Sequence, residues 1–146
     1  MPPDAPVVFL CHASEDKEAA KRVSDALQAN GIDTWLDRNE LRGGDQWDQL
    51  IRRLISDDVD YVVVMQSASL LAKDVGYVNR EINLALDRQM NYRPPRRFLI
   101  PVVLDAPENC LEHLQHLQAT DLSDPAGIDE LVRAIKRDLK AKVRQG

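Results

Sequence analysis

Apolar residues in this chain fall into short continuous runs, separated by stretches in which they recur with helical spacing. Three runs have no polar alternation: VVFLC (Val7–Cys11), YVVVM (61–65) and FLIPVVL (98–104). Such runs are typical of parallel strands that are buried on both faces of a sheet. IDTWLD (32–37) and the weaker ATDL (119–122) resemble them in position between helical stretches. The pattern therefore predicts five strands.

The helical stretches follow the predicted strands in turn. Ser14 is expected to cap the first helix, and Asn30 with Gly31 to end it. A second helix is predicted because five apolar residues share the spacing of one helical face. These residues are Trp47, Leu50, Ile51, Leu54 and Ile55.

Three more helical segments complete the pattern. Amphipathic spacing covers residues 74–87, a short helical piece covers 111–117, and Asp124 with Pro125 is expected to open a last helix. The spacing is lost over residues 140–146. Alternating strands and helices predict an α/β fold with a doubly wound, five-stranded parallel sheet, in which ligands bind at the carboxyl ends of the strands.

Composition narrows the possible classes of protein. A length of 146 residues with 44% hydrophobic content suits a single domain, and we expect its core at about residues 7–139 with flexible ends, the second of which could lead into a further domain. A net charge of -5 with mixed signs argues against a nucleic-acid partner. No segment has the pattern of a signal peptide or a membrane span, so we expect a cytoplasmic protein without a membrane partner.

The sequence lacks the residues that several kinds of phosphate-binding and phosphoacceptor site require. The loop CHASEDK (11–17) has no glycine, which excludes the phosphate cradles of flavodoxins and dinucleotide folds, and Gln66 with Ser67 stands where a phosphoacceptor domain needs an aspartate. Gly43 and Gly44 are either turn residues or part of a phosphate-binding site at the N-terminus of the following helix.

The cysteines and histidines do not form a reactive group in the sequence. Cys11 and Cys110 have no metal-ligand spacing and no recognisable base, so both are expected to be reduced structural thiols. His113 and His116 are three residues apart, but His12 is distant and no carboxylate cluster adjoins them. We therefore expect no metal site.

Four segments in order carry a family resemblance: VVFLCHASEDK, GIDTWLDRNELRGGDQWDQLI, VGYVNREINLAL and FLIPVVLD. Together they resemble the Toll/interleukin-1 receptor (TIR) domain family, in particular its bacterial branch, over about residues 7–139. The resemblance implies a flavodoxin-like, five-stranded parallel sheet flanked by helices, the TIR fold, in agreement with the periodicity.

The resemblance also implies a chemistry. Members of the family are either adaptors that assemble with other TIR domains or enzymes that cleave NAD+ at the nicotinamide–ribose bond. The enzymes use one glutamate, four residues after an aromatic that is usually tryptophan, and Glu81 with Tyr77 matches that spacing. Periodicity alone makes Glu81 a solvated edge of the stripe of Val78, Ile82 and Ala85, so its catalytic role is implied by the resemblance.

One carboxylate is enough for this reaction. Ordinary glycoside hydrolysis needs a second group to protonate the leaving oxygen, but the nicotinamide of NAD+ is already a cation and leaves as a neutral molecule. Glu81 could then stabilise positive charge on the ribose, and Tyr77 could stack on the nicotinamide. Tyrosine in place of tryptophan leaves hydrolysis and cyclisation both open.

Further contacts with NAD+ are implied by the resemblance alone. The residues that would border the dinucleotide are His12, Ala13, Ser14, Gly44, Asp45 and Trp47. Trp47 also continues the apolar face of its helix, so a core position stays open. NAD+ is the expected substrate, and no cofactor is expected.

Two functions follow from the resemblance. The first is an NAD+ glycohydrolase or cyclase, activated by self-association through the loop 37–46, that acts in bacterial defence against phage. The alternative is a non-enzymatic interaction module that engages host TIR domains through the same loop.

Overall fold

The computed structural model describes residues 5–36, 45–73, 77–93 and 96–145, without the side chains of residues 45–48, 77 and 142–145. These residues contain a five-stranded sheet of order β2-β1-β3-β4-β5, in which every neighbouring pair is parallel. The strands are β1 (Val7–Cys11), β2 (Asp33–Leu36), β3 (Tyr61–Gln66), β4 (Leu99–Val103) and β5 (Thr120–Asp121). The predicted parallel sheet is confirmed.

Helices connect the strands. They are α1 (Lys17–Ala29), α2 (Asp45–Arg53), α3 (Ala68–Leu71), α4 (Tyr77–Gln89) and α5 (Gly127–Gln145). A π-helical turn, Leu54–Asp58, continues α2, and 3-10 turns cover Ser14–Asp16 and Glu112–Leu114. No helix among the described residues is long and apolar enough to cross a lipid bilayer.

The core lies on both faces of the sheet. Successive residues of β3 point to opposite faces, so that Val62 and Val64 pack with one cluster and Val63 with the other. The first cluster includes apolar residues of α2 and α4, and the second includes those of α1 and α5. Helices on both faces explain why β1, β3 and β4 are continuous apolar runs.

Two predictions about helix ends were tested at α1. Asn30 ends the helix and Gly31 has φ +80°, a conformation that favours glycine, so the predicted end is confirmed. The predicted cap is wrong: α1 begins at Lys17, and the Ser14 hydroxyl donates to the Glu15 carboxylate at 3.1 Å. A 3-10 turn lies between Ser14 and the helix.

One other prediction needs correction, and one helix continues beyond its apolar spacing. Leu50 is 39% exposed, whereas Ile51, Leu54 and Ile55 are buried. At about 100° per residue, Leu50 lies at the edge of the stripe that those three residues define. The tail 140–146, where the apolar spacing is lost, continues α5 as far as Gln145, because a helix gains a backbone hydrogen bond with each added residue without needing an apolar face.

Candidate functional site

The order in which the chain adds strands to the sheet reverses between β1 and β3. From these two central strands the order runs outward to β2 on one side and to β4 and β5 on the other. In such sheets the connections leave in opposite directions and open a crevice at the carboxyl ends of the strands. Cys11, the last residue of β1, is paired in register with Val64 of β3. The loops after β1 and β3 therefore border the expected ligand site.

Polar contacts join these two loops. The Ser67 hydroxyl, 2% exposed, donates to the Asp16 carboxylate and accepts a hydrogen bond from the backbone N–H of Leu70 at 3.1 Å. Nearer the surface, Lys73 Nζ lies 3.2 Å from Glu15 Oε1. Ser67 thus caps the short helix α3 and at the same time fixes it to the first loop.

The loop after β4 is held to the same edge. Asp105 accepts hydrogen bonds from the backbone N–H of Ala68 at 3.0 Å and from the Asn109 side chain at 2.9 Å. The bond from Asn109, followed by that from Ala68, lowers the pKa of Asp105 below its ordinary value. Gln66, 1% exposed, accepts from the Leu111 N–H at 2.7 Å and donates to the Val102 carbonyl. Three loops therefore form one connected rim.

Glu81 lies beneath this rim and is buried. Its helix, α4, packs against the sheet through Val78, Ile82 and Ala85, and only 2% of Glu81 is exposed. The thiol of Cys11, itself fully buried, donates to Glu81 Oε1 with a sulfur–oxygen distance of 3.4 Å. The interpretation of Glu81 as a solvated helix edge is therefore wrong.

A buried carboxylate at the edge of the sheet where ligands bind indicates a functional group. Moving an ionised group out of water costs free energy, and proteins retain such groups where their charge is used or compensated. Glu81 combines burial with a place at the carboxyl end of β1, where the fold directs ligands. The arrangement supplies one negative group that could stabilise a cationic centre on a bound molecule.

The residues predicted from the first loop differ in accessibility. His12 is 5% and Ala13 is 1% exposed, and the His12 ring donates from Nδ1 to the Ala13 carbonyl at 2.7 Å. Ser14 is exposed. The structure thus brings this segment to the crevice next to Cys11, with Ser14 as the side chain open to solvent.

The remaining predicted contacts lie outside the described residues. Gly44 and most of the loop 37–46 belong to the undescribed range 37–44. Asp45 and Trp47 lie in α2, and Tyr77 begins α4, but their side chains are not described. Stacking by Tyr77 and the choice between core and substrate contact for Trp47 stay predictions.

Metal-binding side chains are not grouped in the described part of the chain. No set of three or more histidine, cysteine, aspartate or glutamate residues there could hold a metal ion. Neither Cys11 nor Cys110 forms a disulfide bond.

Sequence reasoning missed the residues that build the rim. Asp16 is not singled out by any sequence pattern, and Cys11 is expected from the sequence to be only a structural thiol. A signal was present at the end of β3, where Gln66 and Ser67 interrupt an otherwise apolar strand. Polar residues that directly follow a buried strand mark the edge where ligands bind.

Comparison with known proteins identifies the family. The family model described as TIR domain matches residues 8–134. Two curated relatives are the 2′ cyclic ADP-D-ribose synthases BtTIR of Bacteroides thetaiotaomicron and AbTIR of Acinetobacter baumannii (strain 1295743). BtTIR is 36% identical over 84 residues, which make up 57% of this chain and 28% of that protein. AbTIR is 34% identical over 85 residues, which make up 58% of this chain and 30% of that protein.

A solved structure supports the same fold. The TIR domain of the Toll-related receptor TRR-2 from Hydra magnipapillata superposes with a TM-score of 0.67 at 21% identity, covering 88% of this chain and 97% of that one. At this identity the likeness concerns the fold alone. Since the family model spans nearly the whole sheet, from β1 into α5, the chain belongs to the TIR domain family.

Proposed function

We propose that this chain cleaves NAD+ at the nicotinamide–ribose bond and that Glu81 is the catalytic residue. The observation that carries the proposal is the buried Glu81 carboxylate, 2% exposed, held by the Cys11 thiol at the carboxyl end of β1. The names of both bacterial relatives, each a 2′ cyclic ADP-D-ribose synthase, support the same substrate class.

The reaction needs one negative group near the ribose. The bond between ribose C1′ and the nicotinamide nitrogen breaks, its electron pair stays with the nitrogen, and nicotinamide leaves as a neutral molecule. Positive charge then develops on the ribose, and Glu81 stabilises it and accepts hydrogen bonds from the ribose hydroxyls. Attack on C1′ by water gives ADP-ribose, whereas attack by a hydroxyl of the same molecule gives a cyclic product, and in both cases the attacking oxygen loses a proton to solvent.

The burial of Glu81 supports a requirement for activation. With 2% of the residue exposed, a ribose cannot contact the carboxylate until neighbouring groups move. Self-association through the loop 37–46 would supply that movement in this proposal, so that a dilute chain is inactive and an assembled one is active. We place this activity in the bacterial cytoplasm and in defence against phage, following the family resemblance and the bacterial relatives.

The test is nicotinamide release from NAD+ by the purified chain. It is measured in dilute solution and on lipid vesicles that bind an added affinity tag, with an increasing number of chains per unit of vesicle surface. Glu81→Gln removes the carboxylate at nearly constant shape. Asp87→Asn is the matched control, because it makes the same chemical change at an exposed position of the same helix. Chromatography identifies the second product.

The expected result is release that rises with surface density, falls at least about a hundredfold in Glu81→Gln, and stays within about twofold of the wild type in Asp87→Asn. Equal release by Glu81→Gln would show that another residue carries the reaction. Absence of release at every density would favour the interaction module, whose partner binding should then survive Glu81→Gln.

A further inference from the structure

A second concave site lies at the opposite end of the sheet from Glu81. Arg96 and Arg97 end the basic stretch NYRPPRR and precede β4, so they lie at the amino end of that strand. Beside them is a cavity of about 530 Å³ between this segment, the stretch before β5 and α5. The basic stretch, which the proposed activity does not use, thus contributes two arginines to a cavity.

Positive groups outnumber negative ones in the described lining. Arg96, Arg97 and Arg137 contribute three guanidinium groups, and His116 adds a titratable ring. Asp138 is the acidic residue among the described residues of the wall. This local excess stands out in a chain whose net charge is -5.

The carboxylate of Asp138 is already engaged in holding the fold. It accepts hydrogen bonds from the Tyr61 hydroxyl at 2.6 Å and from the backbone N–H of Arg97 at 3.0 Å. Arg96 Nε lies 3.8 Å from Oδ1, the same oxygen that accepts the Arg97 hydrogen bond. Asp138 can offset one of the three positive charges, which leaves the cavity with a net positive charge.

The arginines are held in position at the wall. Arg97 donates to the Gln118 carbonyl at 2.6 Å, a neutral partner that fixes the guanidinium without cancelling its charge. The Arg96 guanidinium lies 5.5 Å from the centroid of the Tyr92 ring. Leu117 and two alanines supply apolar wall between these groups. Positive groups on low-dielectric concave walls concentrate their field on the enclosed volume.

We propose that this cavity binds a phosphorylated small molecule of about mononucleotide size. Guanidinium groups bind phosphate oxygens through paired hydrogen bonds, and a volume of about 530 Å³ falls within the range of small-molecule sites. The positive lining is confined to one half-open hollow between α5 and the segments before β4 and β5, which favours a small molecule over duplex nucleic acid, because duplexes bind to basic surfaces that extend along a face. The apolar wall beside Leu117 would contact the part of the ligand that carries no charge.

The experiment is isothermal titration calorimetry of the whole chain with AMP, pyrophosphate and, as the uncharged control, adenosine. Arg137→Gln removes one guanidinium from the wall, at an exposed position where the fold is insensitive. Arg133→Gln is the matched control, because Arg133 is exposed one turn earlier on α5 and does not line the cavity. Thermal unfolding of both variants checks that the fold is unchanged.

We expect AMP and pyrophosphate to bind at one site per chain and adenosine not to bind. Arg137→Gln should weaken both phosphate ligands about tenfold or more, since a charge-assisted hydrogen bond is lost, whereas Arg133→Gln should stay within about twofold. Equal weakening by the two variants, or the lack of saturable binding, would overturn the proposal. Tighter, Arg137-dependent binding of a DNA duplex would also overturn it, in favour of nucleic acid.

Discussion

Replacing Glu81 by glutamine should stabilise the fold while it removes the activity. The side chain is 2% exposed and lies beside Val78 and Ile82, which are themselves buried. Glutamine has nearly the same shape and keeps an oxygen that can accept the Cys11 thiol hydrogen bond. The substitution therefore removes the charge of the group and changes little else.

The size of the effect follows from this geometry. An ionised carboxylate held away from water costs several kcal/mol even after the protein relaxes, and glutamine puts a neutral group of nearly the same shape in its place. We expect Glu81→Gln to raise the free energy of unfolding by about 1–3 kcal/mol at neutral pH. The same change should reduce nicotinamide release about 10²–10³-fold, because a group that stabilises charge in the transition state is lost.

Urea denaturation followed by circular dichroism measures the first quantity, with equal m-values as the condition for comparing the variants. Asp87→Asn again serves as control and should change the free energy of unfolding by less than about 0.5 kcal/mol, as exposed substitutions do. If Glu81 were instead retained as a structural partner, glutamine would destabilise the fold by about 3–5 kcal/mol. A loss of stability in that range would show that the fold depends on the Glu81 carboxylate.

Three further predictions concern groups around the sheet. Cys11→Ala should lower nicotinamide release about 2–12-fold by removing a donor to Glu81, whereas Cys11→Ser keeps a donor and should stay within about threefold; equal rates would contradict this. Tyr61→Phe should lower the free energy of unfolding by about 1.5–3 kcal/mol, since its hydroxyl donates to the buried Asp138 carboxylate; thermal unfolding within about 0.5 kcal/mol of the wild type would contradict this. The folded pKa of Asp105 is lowered from 3.8, so its contribution is present above that value and is lost as the pH falls through the folded pKa. The stability lost in Asp105→Asn, less than about 1 kcal/mol at this exposed site, should therefore shrink in urea titrations as the pH falls below 3.8 and through the folded pKa, and a difference in stability that is independent of pH would contradict the assignment.

The sheet could be predicted well from local sequence patterns, because a strand that is buried on both faces needs a short continuous run of apolar residues. β1 matches its predicted run, and β3 and β4 match theirs to within one residue at each end. β5 has two residues, and its weak apolar run already gave the least distinct signal. The short helix α3 was not predicted, since its four residues are too few to show a period.

The site could be predicted only in part. The position of Glu81 came from the family resemblance, whereas periodicity placed it in solvent. Its burial depends on a contact with Cys11, 70 residues away in the sequence. The bond from Ser67 to Asp16 likewise joins residues 51 positions apart. Spacing within one helix carries no information about such contacts, because they depend on how the sheet brings loops together.

Contacts between distant segments also explain why the role of the arginines before β4 could not be predicted from the sequence. In the sequence, NYRPPRR is a basic, proline-rich stretch between α4 and β4. The structure gives Arg97 a place through its backbone bond to Asp138, 41 residues later. The cavity beside it arises from α5 and the segment before β5, neither of which adjoins the arginines in sequence.

The decisive measurement for Glu81 is nicotinamide release by the surface-assembled chain, with wild type and Glu81→Gln compared at equal density. We expect release that requires both high density and Glu81, with ADP-ribose or its cyclic form as the second product. Release that is equal in the two proteins, or that is already complete in dilute solution, would contradict a buried catalytic glutamate opened by assembly.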